Sequence, residues 1–169
     1  MPGTWTALNS LPPYPFNPST MLLMTDGTVL CQDADGQNWQ KLTPDATGDY
    51  VQGTWSPIAP MRNGRLYYAS AVLADGRVFV AGGEYDGSGS EVELDAAEIY
   101  DPVANRWLDL PTPGWGAVGD APSCVLADGR VLLGSIETNQ AAIWDPATNV
   151  WSATGPKGDV SSEDLDAPF

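Results

Sequence analysis

Three stretches of the chain repeat one alternation: an apolar run, an Asp-Gly pair, and a second apolar run. They are Met21 to Leu30, Ala71 to Val80 and Cys124 to Leu133, turning at Asp26-Gly27, Asp75-Gly76 and Asp128-Gly129. The turn recurs after 49 and then 53 residues. An Asp-Gly pair between apolar runs predicts a β-hairpin, read here as a type I′ turn, because glycine accepts positive φ without a steric penalty. A second pattern follows the second and third hairpins. Ala97-Glu98-Ile99-Tyr100-Asp101-Pro102 leads through a polar turn to Trp107, and Ala142-Ile143-Trp144-Asp145-Pro146 leads to Trp151. After the first hairpin the copy is degenerate, with Trp39 in the third-strand position and Trp55 in the fourth.

Each unit therefore reads as four short antiparallel strands. In the middle unit they fall near 66–73, 77–81, 96–100 and 106–108. No window carries the 3.6-residue period of a helix. A lone four-stranded meander buries one face poorly, and a stack of them buries it well. The fold class expected is all-β, a β-propeller of three blades at about residues 19–56, 65–110 and 120–153. Trp5 matches Trp55 at one repeat's distance, so residues 1–10 are expected to form the outer strand of a closing blade. Residues 155–169 read as a polar tail.

Composition agrees. The chain has 169 residues with 18 glycines, 15 prolines and seven tryptophans, which suits short strands, tight turns and aromatic anchoring of small repeated units. The net charge of −15 opposes phosphate backbones and anionic lipid, so no nucleic acid and no membrane surface is expected as a partner. No signal peptide or transmembrane segment is legible in the chain, and its compartment stays open. Cys31 and Cys124 sit in or beside apolar runs, and each reads as a buried thiol.

These residues resemble the kelch family. The middle unit carries its marks most fully, with Gly82-Gly83 after the second strand, then Tyr100, then Trp107. The third unit departs from the pattern with Gly134-Ser135 and Trp144, and the first has Cys31-Gln32 at the glycine pair. The Asp-Gly hairpin and Asp-Pro turn also resemble the propellers of the galactose-oxidase and glyoxal-oxidase group. The copper oxidases of that group use two histidines and a tyrosine crosslinked to cysteine, whereas this chain has no histidine. No catalytic residue is assigned, and no cofactor is expected.

In a meander, the links between strands two and three share one face with the links between blades. That face gathers Tyr14, Phe16, Arg62, Arg65, Tyr85, Asp86, Glu91 and Trp115. Aromatics, arginines and acids together suit a recognition surface, and Trp115, Arg62, Arg65, Tyr14, Phe16 and Tyr85 are the binding candidates. Trp115 is equally readable as packing over a blade end, and for the two arginines pairing with nearby acids is the plainer reading. Asp33 and Asp35, in Asp33-Ala34-Asp35-Gly36, resemble a fragment of a calcium loop but lack its downstream glutamate, so a polar turn is the plainer reading. Glu84 to Asp95 reads as a long, mobile acidic loop.

The function expected is a non-enzymatic module for protein interaction or assembly. Three blades do not close a ring, so a second copy or a ring-completing partner is expected. The alternatives are a carbohydrate-binding or enzymatic propeller whose site needs further blades, with a glycan as ligand, and a structural subunit of a larger particle.

Overall fold

The computed structural model describes residues 3–13 and 15–158. Its twelve strands form three antiparallel sheets of four. Blade I contains β1 (Pro18–Leu23), β2 (Val29–Asp33), β3 (Trp39–Thr43) and β4 (Thr54–Pro57). Blade II contains β5 (Ala69–Val72), β6 (Val78–Ala81), β7 (Ala97–Asp101) and β8 (Arg106–Leu110). Blade III contains β9 (Ser123–Val125), β10 (Val131–Gly134), β11 (Ala141–Asp145) and β12 (Val150–Ala153). Strands follow chain order in every sheet, and the first strands of neighbouring blades lie side by side, β1 by β5 and β5 by β9.

The hairpin turns differ from the expected type. Gly27, Gly76 and Gly129 have φ of 82°, 86° and 87°, but the aspartates before them do not enter the positive region. Gly76 N donates to Leu73 O and Leu73 N to Arg77 O. This is a type I turn closed by a left-handed glycine, with one residue more than the type I′ loop. The aspartate side chain stabilises it from within: Asp75 Oδ1 accepts the amide of Arg77 at 3.0 Å. The Asp-Pro turns end on left-handed asparagines instead, Asn105 at 47° and Asn149 at 58°. The carboxylates of Asp101 and Asp145 accept amides inside these turns.

The core lies between the blades. Along β6 the pleat sends Val78 and Val80 toward blade I, where they meet Met24, Leu30, Trp39, Tyr100 and Trp107. Phe79 and Ala81 point the other way, into a cluster with Val131, Leu133 and Trp144 of blade III. All four β6 residues are fully buried, so this strand reads as a continuous apolar run for a physical reason: it has a blade on each side. Burying each large side chain contributes about 1.5–3 kcal/mol.

The glycine pair allows the blades this close approach. Gly82, at φ 78°, lies so near the Gly119 carbonyl that a Cβ would collide with it. Gly83 N donates to the same carbonyl at 2.7 Å. Residues 3–10 form no strand, and Trp5 is fully exposed. Residues 159–169, most of the expected tail, lie outside the described residues.

Candidate interaction face

The link from blade I to blade II, residues 58–68, is held by a buried polar network. Arg65 and Glu98 are both wholly buried, with Arg65 Nη2 2.6 Å from Glu98 Oε1. Arg65 Nη1 donates to the carbonyls of Gly82 and Ala96. Glu98 also accepts the amides of Arg62 and Asn63 and the Asn63 side chain. Gln32 donates to the carbonyls of Gly36 and Arg65, and Tyr68 donates its hydroxyl to Gln32 Oε1. Burial is the main cause holding the Tyr68 phenol well above its ordinary pKa. A buried charge is tolerable only when paired and hydrogen-bonded, and here both partners are.

This network corrects one expectation. Arg65 is a strut of the link and cannot meet a partner, because its pairing with Glu98 removes it from the surface. Arg62 is exposed and pairs with Asp109, also exposed. Trp115 is half-buried and packs against the core shared by blades II and III, so it covers a blade end instead of standing free. Phe16 is half-buried against Trp55, with ring centroids 6.4 Å apart. Tyr14 lies outside the described residues.

In the calcium-like fragment both carboxylates accept backbone amides. Asp33 Oδ1 accepts the Asn17 amide. Asp35 accepts the amides of Gln37 and Asn38 and the Asn38 side chain. Among the described residues no group of three or more His, Cys, Asp or Glu side chains is arranged to hold a metal ion.

Glu84 to Asp95 closes on itself as a hairpin, with an isolated bridge between Tyr85 and Glu91. Asp86 Oδ1 accepts from the Ser88 amide, the Ser88 hydroxyl and the Ser90 amide, and Val92 N donates to Glu84 O. The hairpin brings Tyr85 against Tyr67, edge to face, with centroids 5.8 Å apart. Tyr67 was not legible as a site residue. It is 65% exposed and adopts φ 52°, a left-handed conformation that no sequence signal announces for tyrosine. Carboxylates surround the pair. The charge of Glu84 is the chief cause raising the Tyr85 phenol pKa, followed by burial and Glu91. Burial raises the Glu93 carboxyl, with the charges of Asp120, Glu84, Glu137 and Glu91 adding to it. The face therefore joins two aromatic rings to a strongly negative field.

Comparison with known proteins agrees with this architecture. The Kelch motif family matches residues 65–114, which is blade II with its preceding arginine. An F-box/kelch-repeat protein of Arabidopsis thaliana is 34% identical over 110 residues, spanning 62% of this chain and 27% of that protein. Galactose oxidase of Gibberella zeae is 29% identical over 117 residues, spanning 68% of this chain and 17% of the oxidase. The chain thus spans about a quarter or less of these curated relatives. The solved structure of YjhT superposes with a TM-score of 0.67 at 20% identity, covering 90% of this chain and 54% of that one. Family match, relatives and fold agree with the three four-stranded sheets: the chain is a partial kelch β-propeller.

Proposed function

We propose that the chain is a protein-interaction module whose ring is completed by another polypeptide. The observation that carries this is the state of its two outer blade faces. In the two built interfaces, Val78, Val80, Phe79 and Ile99 are at most 4% exposed. The register places Met21 and Leu23 beside Cys31 and Val29 on the free face of blade I. There Met21 is 65% and Leu23 64% exposed. On blade III the matching face carries Cys124, Leu132 and Ile143; Cys124 is exposed there, not buried as its apolar run predicts, because no blade covers that face among the described residues. Apolar faces of this kind mark association sites.

The tryptophan latches support a partner that is not simply a second copy. Trp107 Nε1 donates to Ala59 O and Trp151 Nε1 to Pro111 O, each in the link leading into its blade. Trp55 Nε1 donates to Ser10 O in the same manner. Residues 4–8 therefore precede blade I as outer strands precede blades II and III. In a second copy, β12 already holds that place in blade III. A partner supplying a blade of three strands leaves it open for the Trp5 segment. The Tyr67–Tyr85 pair, set among carboxylates, suits a basic or aromatic stretch of a bound protein.

Light scattering with a fluorescent apolar-surface dye tests the proposal. The expected result is self-associated particles, or dye-binding monomer, with association and dye binding clearly reduced by Met21→Glu with Leu23→Glu, which charges one of the two faces. A wild-type monomer that is soluble and binds no dye would sink it. A stable species of twice the chain mass would replace the heterologous partner with a second copy.

A further inference from the structure

The interface between blades I and II contains a groove lined by Met24, Leu30, Lys41 and Tyr100. It opens on the Asp-Gly turn face, opposite the candidate interaction face, and encloses about 270 Å³. Three substitutions between equivalent positions open it. Blade II turns Phe79 and Ile99 toward blade III, where the Phe79 ring stacks on Trp144 at 5.3 Å. Blade I turns Leu30 and Lys41 toward blade II, where they meet Tyr100. Leucine and tyrosine leave space that phenylalanine and tryptophan fill, and a lysine stands where the sister blade has a buried isoleucine.

The lining is amphiphilic. Met24 and Leu30 are buried at its floor, and Val103, almost fully exposed, stands at its rim. The Lys41 ammonium makes no hydrogen bond or ion pair among the described residues. Asp26 uses Oδ1 to accept the Thr28 amide and hydroxyl, leaving Oδ2 open. The Thr28 amide bond is the main cause holding the Asp26 pKa below its usual range, and the Lys41 charge contributes, so Asp26 is an ionised acceptor. Asp75 lines the opposite lip, with its carboxylate engaged by Arg77.

We infer that this groove binds a neutral polyol of about one sugar ring. Hydroxyl groups serve both polar partners at once, accepting from Lys41 and donating to Asp26, while ring C–H groups rest on Met24 and Leu30. An anion meets two carboxylates and the net negative field. A cation meets Lys41. The volume lies just below the roughly 300–1,000 Å³ of pockets for larger ligands, which limits the occupant to one ring. The site is complete within this chain and does not depend on ring closure.

The test is a methyl-methionine NMR titration of the whole chain with D-glucose, D-galactose, D-mannose and myo-inositol. The Met24 methyl is expected to shift saturably at millimolar concentration with at least one of them, while Met21, on the far face of blade I, stays still. Lys41→Ile, which restores the sister blade's residue, is expected to weaken binding at least about tenfold while keeping the β-sheet spectrum. Should that variant misfold, Asp26→Asn carries the same decision, since its Oδ1 still serves Thr28. An unmoved Met24 with all four probes, equal binding by the folded variants, or saturation by acetate and not by the polyols would overturn the inference.

Discussion

Arg65 and Glu98 form an ion pair at 2.6 Å with neither side chain reaching solvent. It ties the link before blade II to the third strand of that blade, and the same carboxylate fixes the amides of Arg62 and Asn63. Removing one partner strands the other in a dry site. Glu98→Ala is therefore expected to cost about 3–5 kcal/mol, read from urea unfolding, whereas Arg65→Met with Glu98→Leu recovers only part of the loss, because the amides of Arg62 and Asn63 and the carbonyls of Gly82 and Ala96 still lose their partners. Equal destabilisation by the single and double variants would show that the pair is not the source of the cost.

Gly82 and Gly129 separate close approach from backbone strain. Both have positive φ, at 78° and 87°. A Cβ at Gly129 meets nothing within 4 Å, whereas one at Gly82 runs into the Gly119 carbonyl and the Val118 side chain. Gly129→Ala is expected to cost about 1 kcal/mol from conformation alone. Gly82→Ala is expected to cost clearly more, because the two blades must also separate. Thermal denaturation of the two variants side by side measures the difference, and equal shifts would remove the packing role.

Trp107 is 4% exposed, stands 5.8 Å from Trp39 across the blade interface, and donates to Ala59 O at 2.9 Å. Trp107→Ala is expected to cost about 3–5 kcal/mol, and Trp107→Phe about 1 kcal/mol for the lost hydrogen bond. Trp55 is only half-buried, so Trp55→Ala is expected to cost less than Trp107→Ala. Chemical denaturation ranks the three, and the reverse order would contradict the blade packing described above.

Carboxylates of two kinds set the pH response. Asp26, Asp45, Asp86 and Asp128 have lowered pKa values, held down chiefly by hydrogen bonds from Thr28, Asp49, Ser88 and Arg130 respectively. A lowered folded pKa adds stability above the unfolded value of 3.8, and that stability is lost as pH falls through the folded value. Glu93 has the opposite sign. Its pKa is raised above 4.5, so its ionisation weakens the fold as pH rises through that window. Glu93→Gln is expected to raise the melting temperature slightly at neutral pH and to leave it unchanged at about pH 3, where the acid is protonated in both states. A gain that persists at low pH would assign the effect to something other than charge.

Much of the architecture was readable from residue pattern. Asp75-Gly76 with flanking apolar runs placed a hairpin, and Trp55, Trp107 and Trp151 each stand in the fourth strand of a blade. The turn type was misread because Asp-Gly serves both a type I′ loop and a type I turn with a left-handed glycine. What separates them is the φ of the aspartate, which identity does not specify. Arg65 shows the same limit for the site. Pairing of Arg65 with an acid was legible, but its partner was not, because Glu98 lies 33 residues further along the chain.

Local signals, then, determine the strands, their turns and their grouping by four, because turn stereochemistry and pleat alternation act over a few residues. The tertiary structure alone decides which polar groups disappear into the network around Glu98, and which aromatics meet, as Tyr67 and Tyr85 do. It alone also decides that a groove opens beside Leu30, Lys41 and Tyr100, and that Phe79 stacks on Trp144. Those outcomes depend on complementarity between side chains tens of residues apart, and no short stretch of chain encodes the shape of its neighbour.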